Sequence, residues 1–151
     1  MKNVYIMDII GPFDGEYRFL SNFWRCEINY ENLVFPSVEH AYQAAKSWSI
    51  KDRVKIQQAN KCSQAKHLGE TIAIRADWEY VKLGIMEYLL RQKFQKGTKL
   101  GTKLSKTDKA MLIEYNNWHD NLWGQCTCQL CRMGGRNMLG KLLMKIREDI
   151  R

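Results

Sequence analysis

Hydrophobic and polar positions divide the chain into a short strand-forming part and a longer helical part. Residues 4–10 (VYIMDII) and the stretch around Cys26, Ile28, Tyr30 and Val34 carry strand-forming side chains, with residues 30–33 as a turn, which predicts a small antiparallel sheet near the N-terminus. After Pro36 the pattern becomes helical. Ser37 is placed to cap a helix reaching about Trp48, with Ala41, Ala44, Ala45 and Trp48 on its small or apolar side. A second helix is predicted over residues 51–59, and residues 63–68 read as one or two turns ended by Gly69, because glycine readily takes the left-handed conformation that closes a helix. The longest helix is predicted to start at the N-cap Asp77 and run to about Lys96, where Gly97 stops it; Trp78, Val81, Ile85, Leu89 and Phe94 recur along it near helical spacing. A last helix covers residues 136–150. Helices therefore dominate, and the expected fold is mainly α, multihelical, with a small antiparallel β element near the N-terminus. Neither a repeat nor a low-complexity tract interrupts the chain, so one domain, 1–151, is expected.

Composition narrows the class without naming a function. A chain of 151 residues is long enough for one core that buries roughly two-thirds of the unfolded surface. With 45% hydrophobic and 26% charged residues it falls among ordinary globular domains, which excludes disordered and fibrous classes. Lys141 interrupts the apolar stretch 139–144, and nothing approaches the ~20 apolar residues of a membrane span. Asp8 lies inside the N-terminal apolar run and no small-residue cleavage site follows it, so a cytoplasmic location is expected. The net charge of +8 favours anionic partners, but Lys and Arg are spread along the chain, and charge alone does not choose among them.

Chemistry enters on the helix after Pro36. At about 100° per residue, Glu39, Tyr42, Gln43 and Lys46 share one stripe opposite the alanines. A carboxylate in the first turn sits at the positive end of the helix dipole, which favours its ionised form. Taken alone, the stripe reads as a solvated face. Phe19, Phe23, Trp24, Trp78, Trp118 and Trp123 occur beside polar positions such as Arg18, Asn22, Asp77 and Asp120. Stacking a base on such a ring contributes about 1–3 kcal/mol, although core packing is the simpler reading for any single aromatic.

Five cysteines without a secretory signal argue for free thiols rather than a disulfide framework. Cys126, Cys128 and Cys131 form a C-x-C-x-x-C run, and His119 upstream would complete a tetrahedral zinc set. The second paired half of a zinc ribbon is missing. The expectation is therefore reduced thiols and no metal, with a structural zinc as the alternative.

The segments EYRFLSNFW at 16–24, FPSVEHAYQAAK at 35–46, QAKHLG at 64–69, IRADWEYVKLGIM at 74–86, LLRQKF at 89–94, WHDNLWG at 118–124 and GRNMLGKLLMKIR at 135–147 together resemble the NADAR superfamily, which includes the YbiA-like N-glycosidases. They occur in the family's order and span residues 16–147. The resemblance implies a mainly helical fold with a small sheet, and hydrolysis of N-glycosidic bonds in phosphorylated ribosides such as early riboflavin-biosynthesis intermediates. Some members of the superfamily act instead on ADP-ribose conjugates, including ADP-ribosylated guanine in nucleic acid. The residues it marks as catalytic are Glu39, Trp78 and Asp120, the last displaced by one inserted residue after Trp118.

Breaking a ribosyl C–N bond passes through an oxocarbenium-like state, for which paired carboxylates are the usual solution. Glu39 and Asp120 would be that pair, with Trp78 shaping the base or sugar pocket. Arg18, Lys46 and Lys66 are the expected phosphate ligands; Asn22, Gln43 and Asn137 the expected partners of hydroxyls or a base edge; Phe23 and Trp123 the expected aromatic contacts. No cofactor is expected. The expected partner is a small phosphorylated riboside or an ADP-ribose-like ligand, with modified nucleic acid as an alternative substrate and no membrane. A non-catalytic ADP-ribose-binding module would not need both carboxylates.

Overall fold

The structure, a computed structural model, describes residues 7–151. Along the chain these form strand β1 (Ile9–Ile10), a 3-10 helix (Gly15–Leu20), strands β2 (Ile28–Tyr30) and β3 (Leu33–Phe35), helices α1 (Val38–Ala45), α2 (Ile50–Gln57), α3 (Cys62–Thr71), α4 (Trp78–Lys93) and α5 (Lys99–Ser105), strands β4 (Met111–Leu112), β5 (Tyr115–Asn116) and β6 (Gln125–Cys126), and helix α6 (Met138–Ile150). Two compact units result. One holds residues 22–95; the other holds the chain up to Ser21 together with residues 96–151.

In the 22–95 unit, β2 and β3 make the antiparallel hairpin expected near the N-terminus, with Tyr30 paired to Leu33. Its two central turn residues, Glu31 and Asn32, have φ of 43° and 67°, the left-handed pair of a type I′ turn whose twist matches that of the strands. The Glu31 carboxylate pairs with the buried guanidinium of Arg53 on α2. Ser37 caps α1 by accepting from the His40 N–H at 3.1 Å. Helices α2, α3 and α4 pack around α1, and all eight of its residues are buried. Ala41, Ala44 and Ala45 have no exposed surface, so small side chains bring the neighbouring backbones close.

In the other unit both strand pairs are parallel, β1 with β4 and β5 with β6. Helix α6 packs against α5 and β4. Its Leu139, Leu142, Leu143 and Ile146 fall at i, i+3, i+4 and i+7 and are buried, each contributing about 1.5–3 kcal/mol.

Several boundaries differ from the sequence pattern. Of the strand expected over residues 4–10, β1 is the part seen, and residues 4–6 lie outside the described residues. The helix capped by Ser37 ends at Ala45, where the Lys46 carbonyl turns to accept from the Arg75 N–H at 2.7 Å. Trp48 is 60% exposed and stacks under Arg75 instead of joining the helix's apolar side. Helix α3 runs through Gly69 to Thr71, because Gly69 is needed for close packing and not as a stop. The long helix ends at Lys93, and Thr98 then caps α5, which the pattern did not indicate, by accepting from the Gly101 N–H at 3.1 Å. Helix α6 begins at Met138, two residues after the expected start, behind a left-handed Asn137. No helix among the described residues is long and apolar enough to cross a membrane.

Candidate active site

Glu39 stands in the first turn of α1, where its backbone N–H donates to the Asn22 carbonyl at 3.1 Å. The residue is only 8% exposed. Its Oε1 accepts from Gln43 Nε2, one turn on, at 2.7 Å. The polar stripe of α1 is therefore an interior feature and not a solvated face. Asn22 donates through Nδ2 to the Met86 sulfur at 3.6 Å. Asn22 Oδ1 and Gln43 Oε1 are buried with no hydrogen-bond partner among the described residues. Buried acceptors of this kind cost about 1–3 kcal/mol each when unpaired.

The stripe continues through aromatic and cationic groups. Tyr42 packs on Trp78 with ring centroids 5.1 Å apart at a tilt of 54°, and the Lys46 ammonium lies 5.7 Å from the Tyr42 centroid. Burial pushes the Lys46 pKa down, with Lys66 and Lys82 adding to the depression and Glu39 and Glu70 opposing it. Lys46 thus stands among charges of both signs, and Lys82 is itself paired with Glu79 at 2.5 Å.

Trp78 is held from outside the stripe. Asp77 does not cap α4 with its side chain; it receives a bidentate fork from Arg75, Nε to Oδ1 at 2.6 Å and Nη2 to Oδ2 at 2.9 Å. The hydrogen bonds from Arg75 hold the Asp77 carboxyl below its ordinary range. The Arg75 backbone is tied to the end of α1, and its guanidinium lies 3.7 Å from the Trp48 centroid, so Arg75 fixes the approach of α4 to α1. His40 is buried and bonds Ser37 Oγ and the Ala59 carbonyl; burial lowers its pKa, so it is a neutral packing group.

Gly69 sets the position of Gln43. A Cβ at Gly69 would overlap Gln43 Oε1 and lie 2.7 Å from its Cδ. Alanine gains about 1 kcal/mol over glycine in a helix, whereas overpacking a tight interior costs about 1–3 kcal/mol. Gly69→Ala is therefore expected to destabilise the protein by up to ~2 kcal/mol, read from the urea midpoint. Stability at or above that of the parent would show that Gln43 swings aside freely.

Asp120 lies in the other unit, on a loop organised by the buried Asn116. Asn116 Oδ1 accepts from the N–H groups of Trp118 (3.3 Å) and Asp120 (3.1 Å), and its Nδ2 donates to the Asp120 carbonyl at 2.8 Å. Asp120 Oδ1 in turn accepts from the N–H groups of Leu122 at 3.2 Å and Trp123 at 2.9 Å. The carboxylate is thereby held in one orientation. A groove of about 750 Å³ lined by Pro12, Phe13, Ser21, Tyr115, Asn116 and Trp118 runs beside this loop.

The remaining expected residues divide by environment. Lys66 is half-buried on α3, Phe23 is exposed, Arg18 is exposed on the 3-10 helix, and Trp123 is half-buried beside Asp120. Asn137 is spent on architecture: its Nδ2 donates to the Leu112 carbonyl at 2.9 Å and its Oδ1 accepts from the Glu114 N–H at 3.0 Å, which leaves its amide committed to the backbone. His119, Cys126, Cys128 and Cys131, the four residues of the zinc alternative, come together as one cluster in which the cysteines are free thiols. Arg75 and Asn116 are not singled out by the sequence, which marks Gly69 only as a helix stop. Arg75 and Asp77 had a signal, an Arg two residues before an Asp at a helix start; Gly69 and Asn116 act only through distant partners.

The described residues thus form six α-helices and one 3-10 helix with small two-stranded sheets. The model of the NADAR domain family matches residues 11–151, and the chain belongs to that family. It is 32% identical over 137 residues to N-glycosidase YbiA of Escherichia coli (strain K12), covering 89% of this chain and 82% of that protein. It is 36% identical over 140 residues to N-glycosidase Npun_R5314 of Nostoc punctiforme, covering 89% and 86%. It is also 32% identical over 139 residues to the riboflavin biosynthesis protein VVA0006 of Vibrio vulnificus, where it covers 91% of this chain but spans only 36% of the longer relative. The NMR structure of E. coli YbiA superposes with a TM-score of 0.80 at 30% identity, covering 95% of this chain and 86% of that one.

Proposed function

We propose that this protein is an N-glycosidase, the activity for which two of its relatives are named, and that the bond it hydrolyses joins a base to a phosphorylated ribose. The observation that carries the reading is the buried carboxylate of Glu39, set beside unpaired amide acceptors, a Tyr42–Trp78 ring pair and the Lys46 ammonium 5.7 Å from the Tyr42 centroid. In hydrolysis the C1′–N bond breaks, its electron pair leaves with the base, and water adds to C1′ while giving up a proton. Glu39 is assigned to accept that proton or to stabilise the cationic sugar, the two tasks of a carboxylate at an oxocarbenium centre. Asn22 through its backbone carbonyl and Gln43 through Nε2 would hold Glu39 in place, Lys46 and Lys66 would bind phosphate, and Trp78 with Tyr42 would wall the base or sugar.

For Asp120, Trp123 and Arg18, all in the other unit, the family resemblance is what supports a part in catalysis or binding. The hydrogen bonds of Asp120 to two backbone amides give Asp120→Asn a defined meaning, since the amide oxygen keeps those bonds while the charge is lost.

The test is incubation with phosphoribosylamino-pyrimidines, NAD, ADP-ribose and ADP-ribosylated DNA, followed by mass spectrometry for free base and free sugar. Release from the pyrimidine ribosides, reduced in Asp120→Asn, is the expected result. The net charge of +8 favours one other reading, removal of ADP-ribose from modified guanine in nucleic acid. Release from DNA alone, with affinity falling steeply as salt rises, would establish that reading instead. Ligand binding without base release across the panel would replace both with a binding module.

A further inference from the structure

We propose that His119, Cys126, Cys128 and Cys131 bind one structural zinc ion. The four ligand atoms lie within 4.8 Å of one another. The Nδ1 of His119 is 3.7 Å from the Cys126 sulfur, 3.4 Å from that of Cys128 and 3.5 Å from that of Cys131. A tetrahedral ion with Zn–S bonds of about 2.3 Å and a Zn–N bond of about 2.0–2.1 Å would hold the nitrogen about 3.6 Å from each sulfur. Hydrogen bonding does not account for this geometry. One imidazole nitrogen carries either one proton or one lone pair, so it cannot serve three sulfurs at once. A cation at the centre satisfies all four ligands together.

The surroundings suit thiolates. The Cys131 N–H points at the Cys128 sulfur at 3.4 Å, and Asn121 Nδ2 points at the Cys131 sulfur at 3.2 Å, which supplies donors to anionic sulfur. Asn121 Oδ1 also accepts from the Cys126 N–H at 3.0 Å, joining the loop around His119 to the strand that carries Cys126. His119, Arg132 and Met133 adopt left-handed φ of 68°, 50° and 56° as the loop turns around the cluster. The donor set, three thiolates and one imidazole with no open position, is that of a closed structural site and not of a hydrolytic zinc.

The ion would fasten residue 119 to the 126–131 loop and so fix the backbone that presents Asp120. That consequence rests on the function proposed above; the metal site itself does not.

The full chain purified with its thiols reduced is expected to carry about one zinc ion by elemental analysis. Cys128→Ser and Cys131→Ser should each lower that content at least about tenfold. Cobalt added to the metal-stripped parent should give thiolate-to-cobalt charge-transfer absorption and the intense visible bands of tetrahedral Co(II). If a serine variant does not fold, the cobalt spectrum of the parent still decides. Reduced protein with no stoichiometric zinc and no cobalt spectrum, or a disulfide within the cluster, would overturn the proposal, as would zinc retained in both variants. Because metal content and spectra are read without substrate, an inactive protein that holds zinc would refute the glycosidase reading and leave this one standing.

Discussion

Replacing Glu39 by glutamine is expected to lower turnover on a phosphoribosyl substrate by roughly 10²–10⁴-fold, the range typical of a positioned acid or base. The substitution keeps the shape of the side chain and an oxygen acceptor where Gln43 Nε2 now donates at 2.7 Å. It also leaves the backbone bond to Asn22 untouched. What it removes is the negative charge and the capacity to take a proton. Stability should change by less than about 1 kcal/mol, since the Gln43 donor keeps an acceptor. Substrate binding, followed by calorimetry, should change far less than turnover. A variant that is folded and turns over at the parental rate would sink the assignment of Glu39.

Asn137→Ala should produce the largest loss of stability, about 3–5 kcal/mol. The side chain is 4% exposed and bridges two backbone groups near β4, the Leu112 carbonyl and the Glu114 N–H. Alanine removes both bonds and leaves two buried backbone groups unpaired, each costing about 1–3 kcal/mol. It also has to adopt φ 47° and ψ 45°, a left-handed conformation that asparagine tolerates better than alanine. Asn137→Asp keeps the acceptor for the Glu114 N–H but sets a buried carboxylate oxygen against the Leu112 carbonyl, and it is expected to be destabilised as well. Urea unfolding measures both, and a loss below about 1 kcal/mol in the alanine variant would contradict the bridging role.

The sequence made parts of the site legible because their signals are local. Ser37 before a helical pattern predicted a cap, and the cap forms. The spacing of Glu39, Tyr42, Gln43 and Lys46 placed them on one stripe of one helix. What spacing could not show was that this stripe is interior, since burial depends on α2, α3 and α4 closing over it. Helix ends were displaced for the same reason. Gly69 has the local character of a stop, yet α3 continues through it because Gln43 occupies the space where a Cβ would stand. Asn137 carried a family position and an amide, both compatible with ligand contact, but its neighbours from β4 take the amide first.

The cysteine run gives the sharpest contrast. C-x-C-x-x-C with His119 upstream offers four ligands, but without a second paired half linear spacing does not show that they meet. The left-handed backbone at His119 and the parallel pairing of β5 with β6 set the imidazole nitrogen against all three sulfurs.

By itself, the order of residues determined the helical character, the β2–β3 hairpin, the capped start of α1 and the family, since each depends on contacts a few residues long or on motifs kept in sequence. Tertiary structure alone decided that Glu39 is buried, that Trp78 packs on Tyr42, that Asn137 is an architectural bridge and that four ligands meet around His119. These depend on groups distant along the chain, whose approach is fixed by packing and by the need to pair buried polar atoms.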